Sequence, residues 1–444
     1  MLRTLSTVLI LSLLVGPALA ENEYENEPIN YSEATPNDAA VALEKAQRAG
    51  KVKIDRTDDW AVVNGLLKQF KIPQSSQVMV FSKTSKQNDR ISPATPRVVY
   101  FGDDAYVGYS YGGLMEVSVI DPKLGPIFYL ADPQVAKSEP ITFTRDQSCL
   151  SCHGGPFSPD VPGVLVRSVT PGPEGHPIMS QGSTVVDTTT PFEDRWGGWY
   201  VTGKHGKSVH KGNVTAEENG ESVKFDPLPG QNISKLDKFF DVSPYPRKTS
   251  DIVALMVLEH QTSTQNVLTK ANQSAMRAMH MQKSLQRELG EPVLNEPIGT
   301  ARRIIDHCAE DVVDALLFKD EAALPEDGIE GIAEFQSDFS KMAPQSSDGR
   351  SLKDLQLLTR LFKYRCSYMV YGVTFTNLMP QLKQTVMANL WKVLQGQDPE
   401  GRYSYLGESE RKHISKILAE TLKGSPADWK KSLVQAPQNT RPPG

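Results

Sequence analysis

Cysteine is nearly absent, with four in 444 residues: Cys149, Cys152, Cys308 and Cys366. That excludes a disulfide-dense secreted scaffold, in which many cross-links stand in for a hydrophobic core. No lysine- and arginine-rich block is long enough to follow a phosphate backbone, and the formal net charge is -5, so nucleic acid is excluded as a partner. A G-x-S-x-G elbow, an H-E-x-x-H helix and a phosphate-cradling glycine loop are also missing, which removes the best-marked hydrolases and nucleotidases. The body of the chain lacks a long apolar run as well. Its longest uncharged stretch of note, Cys366 to Leu382, is interrupted by Gly372 and Pro380, whereas a membrane span needs roughly 20 residues.

One apolar run does stand at the start, MLRTLSTVLILSLLVGPALA. Arg3 gives a short positive region, Leu5 to Gly16 is uncharged, and Ala18 and Ala20 bracket Leu19, which is the form of a secretory leader cleaved after Ala20. The expectation is a protein of the periplasm or the extracellular side with no membrane span in its mature chain. Loss of residues 1–20 takes away one cation, Arg3, and moves the formal charge from -5 to -6. In an oxidising compartment Cys308 and Cys366 are candidates for a disulfide, or else for small buried residues of helices.

Periodicity divides the rest. Residues 21 to about 36 are polar and read as a loosely held arm, followed by helical patterns at Asp38 to Arg48 and Asp59 to Phe70. QVMVFSKTS, PRVVYFGDD, AYVGYSYGG, LMEVSVIDP and GPIFYLADP are short strand-like runs separated by glycine, aspartate and proline. From Cys149 to about Gly230 glycine and proline are dense, and the chain reads as loop with a short strand at Val164 to Val169. A loop region this long needs an organiser. Ser250 to Leu289 contains neither proline nor glycine and predicts a long helix, broken at most once; further helices are expected at Gly299 to Phe318, Leu352 to Tyr371, Pro380 to Leu394 and Glu408 to Leu422. The fold class expected is α+β. Its parts are a leader at 1–20, a mixed part at 21–245 with a small β-sheet and haem-bearing loops, a mostly α-helical part at 246–434 and a disordered tail at 435–444.

The organiser is suggested by RDQSCLSCHGGPF. Cys149, Cys152 and His153 match C-x-x-C-H, in which two thiols add to the vinyl groups of one porphyrin and the adjacent histidine lies under the iron. A thioredoxin-like dithiol is the rival, but the glycines and proline that follow stop any helix after about one turn. No second C-x-x-C completes a zinc site. At CLSCH the sequence resembles the exported c-type cytochromes, and through PKLGPIFY, TPFEDRWGGWYVTGKHG and LFKYRCSYMVY it is similar to a family of large single-haem secreted proteins of uncertain activity. The resemblance implies one covalent haem c, with Cys149 and Cys152 as thioether donors and His153 as proximal ligand. It departs from the small cytochromes by enclosing the motif in far more protein.

The opposite face of the iron decides the activity, since two strong axial ligands favour electron transfer and an open position permits reaction. His205 and His210 lead the candidate iron ligands, ahead of His260 and then His176 or Met179. Trp196, Trp199 and Tyr200 are candidates to pack the porphyrin, and Arg195 to hold a haem propionate. Met276, Met279 and Met281 beside His280 spread around their helix, which argues against a copper site. Two functions stay open. One is an electron carrier serving a redox partner protein; the other is an oxidoreductase acting on a small oxidant (peroxide, oxygen or a nitrogen oxide), with Arg195 and His260 as catalytic groups. A haem-based sensor is a third, weaker reading. Oligomeric state is not legible.

Overall fold

The alternating runs from Gln77 onward form a seven-stranded antiparallel sheet in a computed structural model that describes residues 22–134, 139–220, 222–426 and 429. Its strands are β1 (Val78–Val80), β2 (Arg97–Phe101), β3 (Ala105–Tyr109), β4 (Met115–Asp121), β5 (Gly125–Ala131), β6 (Thr144–Arg145) and, after the two-stranded pair β7 (Arg167–Val169) and β8 (Ser183–Val185), β9 (Trp199–Tyr200). The spatial order is β6-β5-β4-β3-β2-β1-β9, so the five strands read from the sequence form the middle and a short strand closes each edge. A separate hairpin joins β10 (Glu217–Asn219) to β11 (Ser222–Lys224). The leader and the tail expected at 1–20 and 435–444 lie outside the described residues.

Side chains alternate between the faces of a strand, and here both faces are covered. Val98, Tyr100, Val107, Val117 and Ile127 pack toward α1 (Ala39–Arg48) and α2 (Asp59–Gln69). Val99, Phe101, Tyr106 and Phe128 face the second half of the chain. After α3 (Leu150–His153), that half consists of α4 (Ile252–Glu288), α5 (Gly299–Leu316), α6 (Ala333–Lys341), α7 (Val373–Thr376), α8 (Pro380–Leu394) and α9 (Glu408–Thr421). The architecture is therefore α+β, a mixed region followed by a mostly helical one, and a single apolar cluster runs from Phe128 through α4 to Leu390.

The long central helix α4 is continuous over 37 residues, about 55 Å. Asp251 caps it by accepting from the Ala254 N–H at 3.1 Å. Residues 252 to 261 are buried all round, as expected of a helix in the middle of a core. Among the described residues no helix is long and apolar enough to cross a membrane.

Three sequence expectations need correction, and one open alternative is decided. The segment Leu352 to Tyr371 is not a helix: Leu357 takes φ 63°, a bridge pairs Leu355 with Phe362, and Gln356 Oε1 accepts from the N–H groups of Leu358, Thr359 and Arg360. Those N–H groups are the ones a helix would have paired. Conversely, Phe335 and Phe339, one turn apart and buried, bring α6 into a stretch that carried no helix expectation. The N-terminal arm is held firmly, because Tyr24, Ile29 and Tyr31 are buried, the Tyr31 hydroxyl donates to Pro126 O at 2.6 Å and Arg145 donates to Ala34 O at 3.0 Å. Of the two alternatives for Cys308 and Cys366, the disulfide is not formed: both are free and buried, Cys308 on α5 and Cys366 outside any helix. Burial pushes the Cys308 thiol up to about 11 and that of Cys366 further up. Native protein is expected to protect both from a thiol-specific reagent at pH 8, with both reacting after unfolding in guanidinium; rapid native labelling of either would contradict this packing.

Candidate functional site

The cysteine loop is built on a capped turn. Asp146 accepts from the Ser148 N–H at 2.9 Å, and Lys86 spans from the Asp146 carboxylate to Ser148 Oγ at 2.7 Å. The chain then makes a 3-10 turn, Gln147–Cys149, and one turn of helix, α3, which Gly154 ends. Positions three apart on a helix share a face, so the two thiols lie on one side, and both are partly exposed. Burial, aided by Asp146 and Glu116, raises the Cys149 thiol to about 11. A dithiol oxidoreductase instead lowers the pKa of its attacking thiol, so the environment opposes that rival reading.

His153 is oriented by its own loop. Its Nδ1 lies 2.9 Å from the Gly163 carbonyl, and the Gly163 N–H donates back to the His153 carbonyl at 2.8 Å. A carbonyl only accepts, so Nδ1 carries the proton and Nε2 keeps its lone pair. The ring packs on Phe128 of β5, centroids 4.6 Å apart and planes 35° apart. Gly163 is dictated by crowding: a Cβ there would lie 2.6 Å from Asn266 Oδ1 and 2.8 Å from Ser158 Cβ. Asn266 in turn clamps the next residue of the loop, accepting from the Val164 N–H at 3.0 Å and donating to Val164 O at 2.7 Å. Burial pushes the His153 imidazole below its usual range, which keeps it neutral.

The other predicted residues gather elsewhere. His205 and His210 sit side by side, ring centroids 4.8 Å apart, against Phe192, and His210 also meets Trp196 at 5.1 Å. Their lone pairs are spent on the backbone: His205 Nε2 accepts from the Asn232 N–H at 3.2 Å and His210 Nδ1 from the Gly212 N–H at 3.0 Å. To ligate iron, either ring would first have to give up that bond. Arg195 pairs with Glu259 of α4 at 2.8 Å and donates twice to Thr190 O, while the Trp196 indole N–H donates to the same Glu259 carboxylate. Trp196 holds φ 67° to do so, a conformation that a bulky residue rarely adopts. Glu259 and Asn266 are seven residues apart, about 10 Å along α4, so this cluster and His153 use different stretches of one helix. Trp199 lies on the α4 side of the sheet and donates to Arg167 O at 2.7 Å, but Tyr200 faces the opposite core, against Phe240. His176 and Met179 are exposed, Met179 by 83 %. His280 lies 3.5 Å from Glu27.

His260 is enclosed. It stacks on Phe318 with centroids 4.3 Å apart, its Nε2 is 2.7 Å from Ser367 Oγ, and burial lowers its pKa to about 3. A base depressed in the folded state contributes stability above its unfolded pKa of about 6.5 that is lost as pH falls through the folded value. From pH 7 to pH 4 this group alone is worth about 3 kcal/mol, so His260→Gln is expected to flatten the acid limb of a stability–pH curve by that order. Equal acid limbs for wild type and variant would contradict a neutral, enclosed His260.

Sequence reasoning did not find Phe128, Gly163 or Asn266. The available signal was the polar run from Glu259 to Asn266 in the middle of a long helix. No protein-family model, no curated protein and no solved structure matches the chain.

Proposed function

We propose that the protein is an electron carrier with one haem c, attached through Cys149 and Cys152 and ligated by His153. The observation that carries this reading is the imidazole of His153, whose Nδ1 is committed to the Gly163 carbonyl while Nε2 keeps its lone pair, within one helical turn of two thiols on the same side. Anchoring the far nitrogen of a ligating histidine fixes its tautomer and raises its basicity. When bound, the haem supplies a one-electron iron couple. The chain orients the ligand through Gly163, packs it on Phe128 and brings the thiols up on a capped turn. The leader agrees with this reading, since it directs the chain to the compartment that the resemblance to exported c-type cytochromes implies. The loops at 146–163 are the haem-bearing segment in this account, and a redox partner protein exchanges the electron.

A carrier is favoured over a catalyst because the groups that would serve a reaction at iron are engaged elsewhere: Arg195 with Glu259, and His260 with Ser367 and Phe318. The test is an equilibrium redox titration combined with rapid mixing of the ferrous protein with carbon monoxide. A single one-electron step and no turnover of peroxide or a nitrogen oxide are expected. Prompt carbon monoxide binding, with turnover of peroxide or a nitrogen oxide, would move the function to catalysis at the iron.

A further inference from the structure

Beside His153, the α4 side of the sheet carries charge where the rest of it is apolar. Arg97 of β2 lies across β3 at Gly108, where a Cβ would stand 2.5 Å from its Nη2, and reaches Glu116 of β4 at 2.9 Å. Ser85 and Gln87 hold the other Glu116 oxygen at 2.6 and 3.0 Å. Strand register sets Ser118, two residues beyond Glu116, opposite Phe128, on which His153 packs. Toward the other edge of the sheet Val80 pairs with both Arg97 and Trp199, and the Trp199 indole bonds the carbonyl of Arg167. Buried polar atoms without a hydrogen-bond partner among the described residues include Arg97 Nε on β2, Arg167 Nε on β7, Ser110 Oγ just after β3 and Ser118 Oγ on β4. Buried polar groups are ordinarily satisfied, and a guanidinium with a donor to spare is a ready partner for a carboxylate.

We propose that Arg97 and Arg167 hold the two carboxylate side chains of the haem, with Ser110 as a further donor on the Arg97 side. The inference rests on the haem reading and replaces Arg195, whose guanidinium is already shared between Glu259 and Thr190. Glu116 has a defined part: by taking one edge of Arg97 it fixes the guanidinium and leaves Nε directed elsewhere.

The experiment is resonance Raman spectroscopy of purified holoprotein, with haem content fixed first by the mass of the denatured chain. Arg97→Gln and Arg167→Gln, each with haem still attached, are each expected to shift one of the two carboxylate bending bands and to lower the midpoint potential, because a cation beside the haem is lost. Lys412→Gln removes an exposed cation paired with Glu408 on α9 and is expected to leave both bands in place. Arg167 is partly exposed and spans to Ser183 at 3.3 Å on the surface, so its variant remains informative if Arg97→Gln does not fold. Attached haem with both bands unmoved in the folded variants would overturn the assignment while sparing the haem. A wild-type chain that acquires no haem would overturn the haem reading and this one with it.

Discussion

Cys149→Ala combined with Cys152→Ala is expected to abolish covalent haem while leaving the fold in place. Both thiols are partly exposed, and among the described residues the hydrogen bond made to them is a long one from Ser151 Oγ to Cys152 Sγ at 3.9 Å. The turn that carries them is held from outside, by Asp146 on Ser148, by Lys86 on both, and by the Tyr24 hydroxyl donating to Gly154 O at 3.1 Å. Each single variant keeps one thioether and is expected to retain a haem that resists acid–solvent extraction, whereas the double variant loses it entirely. The measurement is haem absorption before and after extraction, with far-ultraviolet circular dichroism as the check on folding. Extraction-resistant haem in the double variant would place the attachment elsewhere.

Arg195→Ala is expected to cost about 3–5 kcal/mol of folding stability, the usual price of leaving one member of a buried ion pair without its partner. Arg195 and Glu259 are 4 % and 1 % exposed, and the Trp196 indole depends on the same carboxylate. Burial already lifts Glu259 to about 7, with Arg195 opposing the rise. Without the guanidinium the carboxyl rises further. A raised acid holds in the folded state a proton that the unfolded chain has lost, so stability falls as pH rises from the unfolded value through the folded one. The deficit of Arg195→Ala should therefore be larger at pH 8 than at pH 5 in denaturant titrations. Replacing both partners by apolar residues of similar volume is expected to recover most of it. Haem content and midpoint potential should be nearly unchanged, since this pair engages α4 about two turns from the stretch that supports the His153 loop. A small, pH-independent deficit would contradict the buried pair.

The parts legible in the sequence were those set by local rules. Val, Tyr and Phe alternation located the central strands, and the lack of proline and glycine from Ser250 onward located α4. Turn residues after His153 limited α3 to a single turn. What escaped depended on partners distant in sequence. Gln356 claims backbone donors that would otherwise have made a helix, and no periodicity reports that. The run RWGGWY looked like one packing surface, but strand alternation sends Trp199 and Tyr200 to opposite cores, and Trp196, in the turn before the strand, bonds Glu259. His205 and His210 were sensible ligand candidates by residue type, yet two backbone N–H groups occupy their lone pairs. The charged row did leave a trace in sequence: Glu116 interrupts LMEVSVID and Arg97 follows Pro96 in PRVVYF, both on the alternation phase that faces α4.

Electron transfer by this protein requires one haem joined to Cys149 and Cys152. The decisive measurement is the intact mass, under denaturing conditions, of the wild-type chain exported from a bacterial host that attaches c-type haem. The predicted mass is that of the polypeptide from Glu21 plus one haem, retained after acid–solvent extraction. The mass of the bare polypeptide, or one lower by the two hydrogens lost in a Cys149–Cys152 disulfide, would contradict it.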